Sequence, residues 1–228
     1  ETTGLDALNA ELVGIAFSYQ ENQGYYIPFP ESRDEALQIL EQLKPFFENE
    51  KIEKVGQNLK YDLKILSNYN IKVNGPLFDT MIAHYLINPD MRHNMDILAE
   101  TYLGYSPKPI EDLIGKKGKN QKSMREVEIE EVKEYAVEDA DITFQLKHKF
   151  EPQLDKAGTR KLFNEIEVPL VKVLAAMEHE GINLDVPFLN ELSQKISEEI
   201  KMLEAEIYEI AGTTFNIASP KQLGEILF

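Results

Sequence analysis

Three carboxylates and one phenol carry the chemistry this chain could do: Glu1, Asp62, Asp139 and Tyr135. The segments Asn58-Leu59-Lys60-Tyr61-Asp62 and Tyr135-Ala136-Val137-Glu138-Asp139 each place an acid four residues after a polar partner. Four residues is just over one helical turn, so each pair shares one helix face. Carboxylates from distant segments can converge on hard divalent cations, which prefer oxygen ligands. Two such ions about 4 Å apart can activate a water and stabilise the leaving oxygen of a phosphodiester. Tyr135 could orient that water. Its ordinary pKa, near 10, makes it a positioner rather than a base. Glu1 could accept from the same water. Either motif alone is commonplace among 40 acidic residues, so only the combination has force. Asp141 should point about 200° away from Asp139 on a helix, into solvent or a local salt bridge. His84, His93, His148 and His179 show no paired ligand spacing and read as ordinary surface or core residues.

Elements that would position these groups follow from periodicity. Residues 12–19 read as a buried strand and 25–29 as its hairpin partner. Ser32-Arg33-Asp34-Glu35 has the form of a capping box ahead of an amphipathic helix. A short strand ending at Gly56 precedes a helix over about 58–69. Asp79 and Asn94 should cap helices running to Leu86 and Leu103. Residues 104–127 are rich in Gly, Pro and Lys, hence loop with one short helix at 110–114. A long helix is predicted over 129–150. Beyond it, one helix over 160–181 should kink at Pro169. Asp185 then caps a helix of roughly 35–40 Å whose apolar stripe runs from Leu189 to Ile210, ending at Gly212. Ser219-Pro220 opens a last helix. Strands first and helices later suggest an α/β domain over 1–155 followed by an all-α segment over 156–228. A narrow stripe on a long acidic helix needs a partner helix, so the chain reads as a fragment of a larger protein.

Composition bounds the rest. The net charge is −16, from 24 basic and 40 acidic residues, which by itself opposes binding to phosphate backbones. The local exception is Lys116, Lys117, Lys119, Lys122 and Arg125, a run without one acid beside Gly115 and Gly118: a solvated loop or a phosphate-contacting one. There is no cysteine, so no disulfide and no thiolate metal site. No apolar run is long enough to span a membrane, and Glu1 opens without the basic and apolar regions of a signal peptide. A cytoplasmic location with no membrane partner is expected.

In order, Glu1-Thr2-Thr3-Gly4-Leu5-Asp6, Val55-Gly56-Gln57-Asn58-Leu59-Lys60-Tyr61-Asp62 and Tyr135-Ala136-Val137-Glu138-Asp139-Ala140-Asp141 resemble the three exonuclease motifs of the 3′–5′ proofreading domain of the bacterial DNA polymerase I family. Segments 93–99 and 115–121 are similar to the same domain. Residues 167–170, 177–182 and 215–223 resemble the start of that family's polymerase region. The resemblance covers nearly the whole chain. It implies a ribonuclease H-like fold, a mixed sheet flanked by helices, followed by one arm of the polymerase thumb. It implies two divalent cations, magnesium or alternatively manganese or zinc, on Glu1, Asp62 and Asp139, with Tyr135 orienting the water. Leu5, Gln57, Asn58, Arg92 and the loop lysines Lys116, Lys117 and Lys119 would contact the frayed, single-stranded 3′ end of DNA. The product would be a nucleoside 5′-monophosphate. The tolerance of an acidic surface would follow from stacking and metal–phosphate contacts at the strand end. The family's first motif is Asp-x-Glu and this sequence begins at its Glu, so three of four carboxylates are present. The expectation is weak or absent metal binding and slow hydrolysis in this fragment. No polymerase active site is present, and the missing polymerase region would be its partner. Two other functions fit the same residues: a degenerate exonuclease module kept as a polymerase scaffold, and a ribonuclease D-like exoribonuclease, against which the polymerase-like tail argues.

Overall fold

The structure, a computed structural model, describes residues 1–228. They form two compact units, residues 1–180 and 181–228. In the first, β1 (Gly14–Gln20) and β2 (Gln23–Pro28) make the expected antiparallel hairpin. Asn22 turns it with φ of 63°, a left-handed conformation asparagine tolerates. Helix α1 (Arg33–Phe47) starts where Ser32 accepts the Glu35 amide, and Ala36, Leu40 and Phe47 on one face enter the core. Strand β3 (Lys54–Gly56), helix α2 (Leu59–Asn68) and strand β4 (Leu77–Asp79) form a crossover unit whose strands run parallel, Gly56 beside Asp79. The sequence did not announce β4: three residues are too few to show a period of two. The sheet therefore comes as two two-stranded pieces, with Thr2 bridged to Leu12 beside the first.

Helices α3 (Thr80–Ile87), α4 (Met95–Leu103), α5 (Glu111–Ile114) and α6 (Ile129–Ala157) follow, with a 3₁₀ turn at Met124–Glu126. Helix α6 is the spine: it packs on β1, β2, α3 and α4. Its face of Ile142, Leu146, Phe150 and Leu154 fills a core with Phe78, Leu98 and Phe163. It runs about two turns beyond the predicted end because completely buried Leu154 holds the last turn despite Pro152. Gly158 closes it with φ of 71°.

The predicted single helix over 160–181 is instead α7 (Arg160–Leu162), a π turn (Phe163–Glu167) and α8 (Val168–Glu180). Pro169 has no N–H to continue an α ladder, and one extra residue per turn just before it absorbs the misfit. The same turn aims Phe163 at Phe78, ring centroids 5.0 Å apart. Residues 160–180 thus pack into the first unit.

The second unit holds α9 (Val186–Ala211) and α10 (Pro220–Leu227), capped by Asp185 on Phe188 and by Ser219 on Gln222 as the sequence predicts. Along α9, Leu192, Ile196 and Leu203 are 39%, 45% and 57% exposed, so the stripe is not buried within this unit. No helix is long and apolar enough to cross a membrane.

Candidate active site

The site is built around the first residue. Glu1 lies along the start of β1: its carbonyl accepts the Val13 amide at 2.9 Å, and its amino group donates to Gly14 at 2.6 Å. Thr3 N donates to Glu11 O at 2.9 Å, so residues 1–3 run as a short strand antiparallel to 11–14. Gly14 leaves room for the Tyr26 ring, whose hydroxyl a Cβ there would meet at 2.0 Å. Asp62 arrives on the first turn of α2. The preceding residue, Tyr61, shares a hydrogen bond between its hydroxyl and that of Thr2 and donates to the Gly4 carbonyl, fastening α2 to the Glu1 segment. Asp139 and Tyr135 occupy one face of α6, as their spacing predicts.

The electrostatics show that these groups share one field. The Asp62 carboxyl is pushed up to about 7, first by desolvation, with the charges of Asp79 and Glu1 adding and the Glu1 amino group opposing. Asp62 still has a face open to solvent, so neighbouring groups crowd it without enclosing it. Desolvation and then the Glu1 charge push half-buried Asp139 up to about 7 as well. Burial, then Asp139 and Glu1, raise the Tyr135 phenol well above its ordinary range. Tyr26 is raised to about 12 by burial and then by Glu1. Glu1 is thus the common neighbour of Asp62, Asp139 and both tyrosines. No three His, Asp or Glu side chains stand close enough to grip one ion between them. The donor set nevertheless fits a hard cation: all oxygen, anionic, and bearing mutual repulsion that a cation would relieve.

The turn into α2 is set by Asp79. Its carboxylate accepts the amides of Asn58 at 3.3 Å and Leu59 at 2.7 Å, and those of Met81 at 3.0 Å and Ile82 at 3.2 Å. Parallel β3 and β4 end side by side, so both following helices begin within reach of one side chain. Asn58 takes φ of 63° there and leaves its own side chain exposed and uncapping. Gln57 is half-buried, its amide donating to the His93 carbonyl at 2.7 Å and accepting from Thr80. Leu5 is 91% exposed. Arg92, Lys116, Lys117 and Lys119 are exposed. Arg125 leaves the basic run, because its guanidinium donates to the Leu12 carbonyl at 2.7 Å and the Phe29 carbonyl at 3.3 Å, tying the loop to the hairpin. Asp141 is partly exposed and forms no salt bridge; it accepts the Asn22 amide at 2.8 Å and holds the hairpin turn on α6. Sequence reasoning missed Tyr61 and the second cap of Asp79. The Asn58-to-Asp62 motif does contain Tyr61, but nothing local marks its partner.

Comparison with known proteins places the chain in a family. The family model described as a 3′-5′ exonuclease matches residues 1–155, and one described as DNA polymerase family A matches 186–228. The whole chain aligns with the DNA polymerase I of Pseudomonas aeruginosa at 38% identity and with that of Borreliella burgdorferi at 40%. The DNA polymerase I of Bacillus subtilis is 33% identical over 94% of the chain. The chain spans about a quarter of these relatives: 26%, 25% and 24% of their lengths. The POL domain of Pol1 from M. smegmatis, solved with DNA primer-template and dNTP, shares the fold, with a TM-score of 0.78 at 22% identity over 98% of this chain and 35% of that one. The chain belongs to the 3′-5′ exonuclease family of family A DNA polymerases.

Proposed function

We propose that residues 1–155 are a metal-dependent 3′–5′ proofreading exonuclease acting on single-stranded or frayed DNA 3′ ends, and that 156–228 open the polymerase region of a longer, cytoplasmic protein that copies DNA. The observation that carries this is the place of Glu1, whose charge bears on Asp62 of α2 and on Asp139 and Tyr135 of α6, elements far apart in sequence. Glu1, Asp62 and Asp139 would hold the divalent ions, and magnesium or manganese suits an all-oxygen set better than zinc. When bound, the ions supply an activated water and a clamp on the leaving oxygen. The chain's own residues do the rest. Tyr135 remains a phenol at neutral pH, so it orients water by donating or accepting a hydrogen bond and does not take a proton. Asp62 and Asp139 must lose protons before they bind cations, since only the carboxylate is a ligand. Leu5, Asn58 and Arg92, all exposed, would meet the terminal nucleotides, with Lys116, Lys117 and Lys119 meeting phosphates farther along.

The test is release of nucleoside 5′-monophosphates from matched single-stranded DNA and RNA in magnesium, by this chain and by a longer protein containing it. Preference for DNA in the longer protein, abolished by Asp139→Ala, supports the reading. Preference for RNA would make it an exoribonuclease, and no metal-dependent release from the longer protein would make the module a scaffold.

A further inference from the structure

Gln57 and His93 are joined to an aromatic-walled histidine pair that the exonuclease reading leaves unexplained. His84 is completely buried on α3. Its Nδ1 lies 2.6 Å from Nδ1 of His93, and its Nε2 lies 3.0 Å from the Tyr102 hydroxyl. Phe150 packs at 5.3 Å from the His84 ring and Tyr85 at 5.4 Å from the His93 ring. The pair is not a metal site. Two imidazole nitrogens bound to one ion, each at about 2.0–2.1 Å, would stand farther apart than these do. At this separation one Nδ1 carries a proton and the other accepts it, and the Tyr102 hydroxyl serves as donor or acceptor to whichever tautomer results.

This bond fixes the segment between α3 and α4. His93 is anchored by its ring, and its carbonyl accepts the Gln57 amide. The other end of that amide accepts from Thr80, which is fully buried. Gln57 is therefore a strut with both ends occupied by protein, next to the left-handed Asn58 that starts α2 and so aims Asp62. The strut stands only as firmly as the His93 carbonyl, and the carbonyl only as firmly as the ring.

We propose that His93, anchored by His84, is a positioning residue that holds Gln57 and thereby the Gly56–Asn58 turn for binding of a DNA strand end. The DNA part of this rests on the exonuclease reading; the strut does not. The experiment compares the 228-residue chain with His93→Ala and His93→Asn, which keeps a hydrogen-bonding atom near the place of the ring Nδ1. Two quantities are read: the NMR shifts and solvent exchange of the Gln57 side-chain amide, and the affinity for a fluorescent single-stranded thymidine decamer. His93→Ala should speed Gln57 amide exchange at least fivefold and weaken the decamer roughly five- to tenfold, and His93→Asn should restore most of both. Unchanged Gln57 signals in His93→Ala overturn the proposal. A loosened Gln57 with unchanged decamer affinity overturns its binding half. A longer protein containing this chain that does not bind the decamer in magnesium defeats the exonuclease reading, while the Gln57 signals still decide the strut. Should His93→Ala not fold, Thr80→Val cuts the other end of the strut and is read in the same way.

Discussion

Asp79 accepts the Leu59 amide at 2.7 Å, so the last residue of one strand caps the helix that follows its neighbour. The same carboxylate caps its own helix through Met81 and Ile82. Two helix N-termini, each with a partial positive end, share one anion. Losing a single cap costs about 1 kcal/mol. Asp79→Ala, which loses two, should therefore cost roughly 2–4 kcal/mol in urea unfolding. Asp79→Asn, keeping one acceptor oxygen, should cost about half of that. Equal urea midpoints for wild type and Asp79→Ala would show the double cap to be idle.

Tyr61 is the bolt between α2 and the Glu1 segment. Tyr61→Phe removes the hydroxyl from Thr2 and Gly4 while keeping the ring. A stability loss of about 1 kcal/mol is expected. The sharper readout is hydrogen exchange at the Val13 and Thr3 amides, which pair with Glu1 and Glu11. These should exchange faster in the variant, and unchanged protection would mean that the segment is held by β1 alone.

The raised carboxyls give a pH dependence of definite sign. Asp62 and Asp139 sit near 7 in the folded chain against about 3.9 unfolded, so the folded chain binds more protons between those values. Their contribution is full at low pH and is lost as pH rises through about 7. The open side of the site lets water screen both, so about 1 kcal/mol each is the expected scale. Magnesium in large excess should restore part of that stability at pH 8, where the carboxylates are ready to bind it, as weak binding requires. Thermal melts of Asp62→Asn/Asp139→Asn should lack both the loss and the restoration.

His84 works in the opposite direction. Desolvation, and then His93, depress it to about 4, whereas the unfolded chain takes up that proton near 6.5. Stability is therefore lost as pH falls from about 6.5 to 4, by up to about 3 kcal/mol for a wholly buried ring. In the wild type the two slopes oppose each other over this range. The Asp62→Asn/Asp139→Asn background isolates the histidine, and His84→Gln in that background should flatten the acid limb. An acid limb that survives this substitution assigns it to another group.

Where the sequence succeeded, the cause was local. Ser32, Asp79, Asp185 and Ser219 cap helices because a short oxygen-bearing side chain bonds to an amide two or three residues on. The hairpin was legible from two apolar runs around a turn. The end of α6 was not, because Pro152 argues for a stop locally and Leu154 overrules it from the core. Nor was the π turn ahead of Pro169, which exists to satisfy both a proline and the seat of Phe163.

By itself the sequence determined which residues could do the chemistry and on which helix face each pair stands, since both depend on residue type and a period of 3.6. Only the tertiary structure decided that Glu1 lies in the field of both Asp62 and Asp139, that Tyr61 bolts the first of these to the Glu1 segment, and that His84 and His93 bear on Gln57. Each of those relations joins residues separated by a strand or a helix. Such contacts follow from packing many elements at once, and no spacing along the chain encodes them.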